Sequence, residues 1–133
     1  MKKQAFLISL CLAATMQVGL IPSAQAEPSC GPLPASVQNI SVSYISKADE
    51  LNKLDETLSN HLQPCLEPLT ASNSKAICTH GRVNAEQVLR VVSRVDEAGK
   101  HNPFLANAKM KSYKAGVGLL ERMKSLSANH TCH

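Results

Sequence analysis

Between Val37 and Leu62 the apolar positions Val37, Ile40, Tyr44, Ala48, Leu51, Leu54, Leu58 and Leu62 recur three or four residues apart. At about 100° per residue, this spacing gathers them onto one arc and leaves Asp49, Glu50, Lys53 and Glu56 outside it. The pattern predicts a long amphipathic helix over 37–62, ~39 Å at 1.5 Å per residue. Ser36 is its expected cap and Pro64 its expected stop. Before it, Pro28, Gly31, Pro32 and Pro34 predict an extended lead-in.

Residues 63–83 read as irregular, framed by Pro64 and Pro68, with a helical turn over 73–78 and Gly81 as a stop. Asn84 followed by Gln87 forms a loose capping box for a second helix that ends at Gly99. Its stripe is Val88, Val91, Val92 and Val95, with Leu89 at the edge. Valine favours strands, so a short strand is the competing reading. The spacing does not alternate, however, and Glu86/Arg90 and Arg94/Glu97 stand at helical pairing distances. Asn102-Pro103 then supplies a cap and a first-turn proline for a third helix over 103–127. Phe104, Leu105, Ala108, Leu119, Leu120, Met123 and Leu126 share its apolar face. Gly116 lies near the centre of that face, where it would let another helix approach closely. Gly118 projects to the opposite side and weakens the helix by about 1 kcal/mol relative to Ala. No repeat or low-complexity linker divides residues 27–133. The expected fold is a single all-α domain: a small disulfide-stapled bundle of three main amphipathic helices, with room for a short fourth.

Residues 1–26 follow a different pattern. Lys2 and Lys3 precede an apolar stretch from Ala5 to about Leu20, Pro22 breaks it, and Ala24-Gln25-Ala26 places small residues where a signal peptidase requires them. The apolar core is shorter than the roughly 20 residues of a membrane span. A lipidated leader is disfavoured, because Leu10 before Cys11 is too large and Cys30 follows no apolar segment. The expectation is a cleaved signal peptide ending near Ala26 and a periplasmic or secreted product.

Of the 14 Lys and Arg residues, Lys2 and Lys3 leave with the leader, so 12 remain against 10 acidic residues. A balance that close gives no reason to expect nucleic acid as a partner. Beyond the leader the aromatic residues are Tyr44, Phe104 and Tyr113, with no Trp, so stacking platforms for sugars or single strands are nearly absent. Four cysteines follow the leader: Cys30, Cys65, Cys78 and Cys132. An even count in a small exported domain predicts disulfides. Four cysteines allow three pairings, and the expected one is Cys65–Cys78 with Cys30–Cys132.

Three sets of residues are candidates for function. His61, His80, His130 and His133 accompany the cysteines and could ligate a metal. Disulfides would remove every thiolate and the spacing matches no strong zinc pattern, so neither a metal nor a cofactor is expected. The second set is a basic strip, Lys109, Lys111, Lys114, Arg122 and Lys124, faced only by Glu121 on its own helix. The first helix carries Asp49, Glu50, Asp55 and Glu56 against Lys47 and Lys53, so near-neutrality hides a charge asymmetry. Third, Asp55 falls inside the apolar stripe and must be paired if buried, with Lys109 the candidate partner. There is no GxSxG elbow, HExxH pair, phosphate-cradling glycine loop or CxxC pair, and no catalytic residue is expected. The leading expectation is an exported interaction module of the inhibitor, immunity or assembly-accessory type. It would present its basic helical face to another exported or envelope protein, or to anionic lipid. A carrier of a small apolar ligand or lipid is the alternative, and a Cys/His metal-binding protein the third reading.

Overall fold

The computed structural model describes residues 29–132. The expected signal peptide, Cys11 and His133 lie outside the described residues. Among these residues the fold is all-α, with α1 (Ala35–Gln38), a 3-10 turn (Val42–Tyr44), α2 (Ala48–Leu66), α3 (Ser74–Ala98) and α4 (Lys111–Ala128). Two disulfides staple it, one joining the segment before α1 to α2 and the other α3 to the segment after α4.

The core follows the stripes. Leu54, Leu58 and Leu62 of α2 meet Ile77, Val88, Val91 and Val95 of α3, and Leu119 and Met123 of α4. Leu33, Val42 and Ile45 close one side, and Leu105 and Met110 come from the α3–α4 connection. Burying such a side chain contributes roughly 1.5–3 kcal/mol. That exceeds the intrinsic helix penalty of valine, at most about 0.7 kcal/mol, so the valine stripe forms a helix despite its strand preference. α3 packs most extensively against α4, which also lies along α2.

The helix boundaries differ from those the local signals predict. The helix expected over 37–62 is broken into α1, the 3-10 turn and α2. Ser41, Ser43 and Ser46 interrupt it, and serine competes with the helical backbone for hydrogen bonds. Val42 and Ile45 turn into the core while Tyr44 is 83% exposed. The Arg94 guanidinium, from α3, donates to the carbonyls of Gln38 and Ile40, which a continuous helix would have satisfied itself. At the other end α2 runs through Pro64 to Leu66. Arg122 of α4 donates to the carbonyls of Cys65 (2.6 Å) and Glu67 (2.7 Å), so the end of α2 is stabilised from outside.

α3 begins ten residues before Asn84. A reciprocal turn, Thr70 N to Asn73 Oδ1 (2.7 Å) and Asn73 N to Thr70 Oγ1 (3.2 Å), leads into it. Gly81 does not stop the helix; a Cβ there would lie 2.6 Å from Met123 Sδ, so glycine permits a close approach of α4. The supposed capping box is not a cap. Asn84 is fully buried and Gln87 Oε1 accepts a bond from Leu33 N at 3.1 Å. The expected pairs Glu86/Arg90 and Arg94/Glu97 are replaced by Arg82–Glu86 and Lys100–Glu97.

α4 begins at Lys111, not at Pro103. Residues 99–110 form turns that include Asn107 at φ 62°. Asn102 Oδ1 accepts from Phe104 N, and its Nδ2 donates to the Ile45 carbonyl at 2.9 Å. Met110, at the cap position, has no side chain able to cap. Asp55 of α2 does so instead, accepting from Lys111 N and Ser112 N, both at 2.8 Å. The partner of this carboxylate is therefore a helix start, with its partial positive charge, and not Lys109. Gly116 is where the stripe places it, and a Cβ there would lie 2.9 Å from Leu89 Cγ.

The disulfides join Cys30 to Cys65 and Cys78 to Cys132, with Cα separations of 4.7 and 5.3 Å. The expected pairing, Cys65–Cys78 and Cys30–Cys132, is incorrect. Closeness in sequence misleads here because the two residues leave their helices in different directions. Cys65 turns inward at the end of α2, toward the lead-in, whereas Cys78 lies in the opening turns of α3 beside the segment that follows α4.

Two outcomes test this account. Asp55→Ala removes the cap of α4 and should lower stability by about 2 kcal/mol in urea unfolding; an unshifted midpoint would refute the capping role. Gly118→Ala, with open space at its Cβ, should raise stability by about 0.5–1 kcal/mol. Gly116→Ala should gain less or lose, because Leu89 must move.

Candidate functional site

The basic strip separates into two roles. Arg122 is half-buried and committed to the end of α2. Lys109, Lys111, Lys114 and Lys124 are exposed. Among the described residues the ion pairs are Arg82–Glu86 and Lys100–Glu97, so none of these four ammonium groups is paired with a carboxylate. The charge asymmetry between α2 and α4 is thus not consumed by ion pairs between the two helices.

Lys109 and Lys114 line an open groove of about 660 Å³ between α3 and α4. Leu89, Val92 and Val95 come from α3; Met110, at the start of α4, and Tyr113 and Val117 within it come from the other side, and Ser93 and Asp96 of α3 add to the polar part of the lining. Tyr113 is 55% exposed and offers an apolar ring with a hydrogen-bonding tip. The combination of apolar lining, one aromatic group and two unpaired cations suits an acidic, partly apolar partner. The sequence identified the lysines but not the groove, since the groove needs Leu89 and Val92 of a second helix beside them.

The Cys/His set does not assemble into one site. All four cysteines among the described residues are in disulfides. Among the described residues no group of three or more His, Cys, Asp or Glu side chains is placed to hold a metal ion. His80 is partly buried, His130 is exposed at φ 65°, and His61 is partly buried.

A buried polar cluster escaped the sequence reading. Asn84, on α3, points its Nδ2 at the sulfurs of Cys65 (3.3 Å) and Cys30 (3.6 Å). Its Oδ1, and Nε2 of His61, are buried without a partner in hydrogen-bond geometry. Asn84 interrupts the stripe Ile77, Gly81, Asn84, Val88, Val91, Val95, whose spacing alternates four and three. A polar residue at such a position is the signal that could have revealed it. Burial lowers the His61 pKa below its ordinary 6.5, and the Gly31 backbone and Asn84 side chain offset that only in part.

No protein-family model matches the chain, and no curated protein or solved structure matches it.

The His61 environment yields a pH dependence of known sign. With the folded-state pKa below that of the unfolded chain, the unfolded state binds more protons as pH falls through 6.5. Stability is therefore full above 6.5 and declines below it, toward the lowered folded value. Urea midpoints at about pH 7.5 and about pH 5 should show the decline, and His61→Gln should shrink it; an equal decline in the variant would place its origin elsewhere.

Proposed function

We propose that this protein is an exported interaction module, periplasmic or secreted, that docks an acidic macromolecular partner on the α4 face and the adjoining α3–α4 groove. The observation that carries this reading is the set of exposed, unpaired lysines beside the apolar groove and Tyr113. Two disulfides fit an oxidising compartment, and the leader pattern of residues 1–26 agrees with export. The staples also hold the helices in place before contact, which reduces the ordering entropy lost on binding. The partner is another exported or envelope protein, and recognition works through shape and charge without a catalytic residue.

A second reading, a carrier for a small apolar ligand, draws on the groove's mostly apolar lining and its volume, which falls in the range of small-ligand sites. Native mass spectrometry separates the two: a co-purifying small molecule supports the carrier, and an unliganded mass the docking module.

Replacing Lys111 and Lys114 together by Glu should weaken partner capture from the native envelope or culture fluid by roughly tenfold or more. The thermal midpoint should change little, because neither side chain makes an ion pair among the described residues. Undiminished capture would remove this face from consideration.

A further inference from the structure

The two disulfides differ in exposure: of the four half-cystines only Cys78 is more than marginally exposed, although Cys30 also borders a groove, of about 500 Å³. Cys30 and Cys65 are 3% and 0% exposed, lie within the core, and have the Asn84 amide against their sulfurs. The Cys78–Cys132 bridge lines an open groove of about 680 Å³ where the start of α3 meets the end of α4. Cys78 is only partly buried, whereas Cys132 is 7% exposed. Arg82 and Lys124 line the same groove, with Leu120 and Met123 as its apolar part. Glu86 is also there and is paired with Arg82 at 3.4 Å, which leaves Lys124 as the uncompensated cation.

We propose that Cys78–Cys132 is a thiol–disulfide exchange site for a dithiol, while Cys30–Cys65 is an inert staple. Attack requires a thiolate and access to sulfur. The more accessible sulfur, Cys78 Sγ, receives the incoming thiolate. A mixed disulfide forms at Cys78, the Cys78–Cys132 bond breaks, and Cys132 leaves as a thiolate that takes a proton. The second thiol of the dithiol then attacks its own sulfur in the mixed disulfide and displaces Cys78. The dithiol ends as a disulfide, and two electrons and two protons reside on Cys78 and Cys132. Lys124 favours the anionic nucleophile and the departing thiolate.

The helices do not depend on this bridge for contact. The Met123 approach at Gly81 and the Leu89 approach at Gly116 remain, and Thr131 N and Cys132 N still have the Leu126 carbonyl as acceptor. Reduction therefore loosens residues 129–132 and uncovers one wall of the groove without dispersing the bundle. By contrast, exchange at Cys30–Cys65 must wait for local or global opening.

The test uses the whole protein, treated with limiting dithiothreitol, quenched with iodoacetamide at intervals and mapped by peptide mass. Cys78 and Cys132 should be alkylated roughly tenfold or more faster than Cys30 and Cys65, with unchanged helical circular dichroism while only the first pair is open. Simultaneous labelling of all four, or earlier labelling of Cys30 and Cys65, would overturn the proposal. Glutathione, a monothiol, should be trapped on Cys78; an adduct confined to Cys132 would refute the assignment of the attacked sulfur. Lys124→Glu should slow the glutathione step severalfold, and an unaltered rate would refute the part given to Lys124.

Discussion

An α-helix starts with four backbone N–H groups and ends with four carbonyls that it cannot pair internally. Here much of that deficit is met by side chains from other helices. Among the described residues no α-helix carries a side-chain bond from its own cap residue. Asp55 of α2 satisfies the start of α4, Arg122 of α4 satisfies carbonyls at the end of α2, and Arg94 of α3 takes those after α1. The α2–α4 pair is therefore linked at both ends, by a carboxylate in one direction and a guanidinium in the other. Each helix is a better helix when its neighbour is present, and this arrangement couples local order to global packing.

The same economy of polar groups shapes the interior. Among the described residues three polar ones are buried, and two have hydrogen-bonding roles that cross the molecule: Asp55 to the start of α4 and Asn84 to the Cys30–Cys65 sulfurs. Ser112 instead contributes its backbone N–H to Asp55, and its hydroxyl is left without a partner. The buried disulfide thus belongs to the core as a polarisable group touched by one amide. The second bridge joins a core residue, Cys132, to the partly buried Cys78, and nothing in the count or spacing of the cysteines separates the two.

The apolar stripes made the fold class legible, because three- and four-residue spacing survives whatever a helix packs against. Leu54, Leu58 and Leu62, the valines of α3, and Leu119 with Met123 are all where that spacing puts them. The boundaries were less legible because they depend on distant partners. Pro64 and Gly81 are local stop signals, yet the helices continue through them, one with Arg122 beyond it and the other with Met123 packed on it. Asn102-Pro103 looks like a start, but the start is at Lys111, where Asp55 arrives from 56 residues away. Arg122 was grouped with the lysines because sequence shows charge and not commitment. The disulfide pairing was obscured for a related reason: chain distance says little about the direction in which two helical cysteines point.

The contact between α3 and α4 involves a glycine on each. Met123 of α4 enters at Gly81 of α3, and Leu89 of α3 enters at Gly116 of α4. Two opposed pegs of this kind define the register of the pair as two dowels align a joint. Sliding one helix past the other by a single turn, about 5.4 Å, would drive both pegs into side chains. The groove beside them consequently borders a helix pair held in one register, so its opposite walls face each other at a fixed offset along the helices.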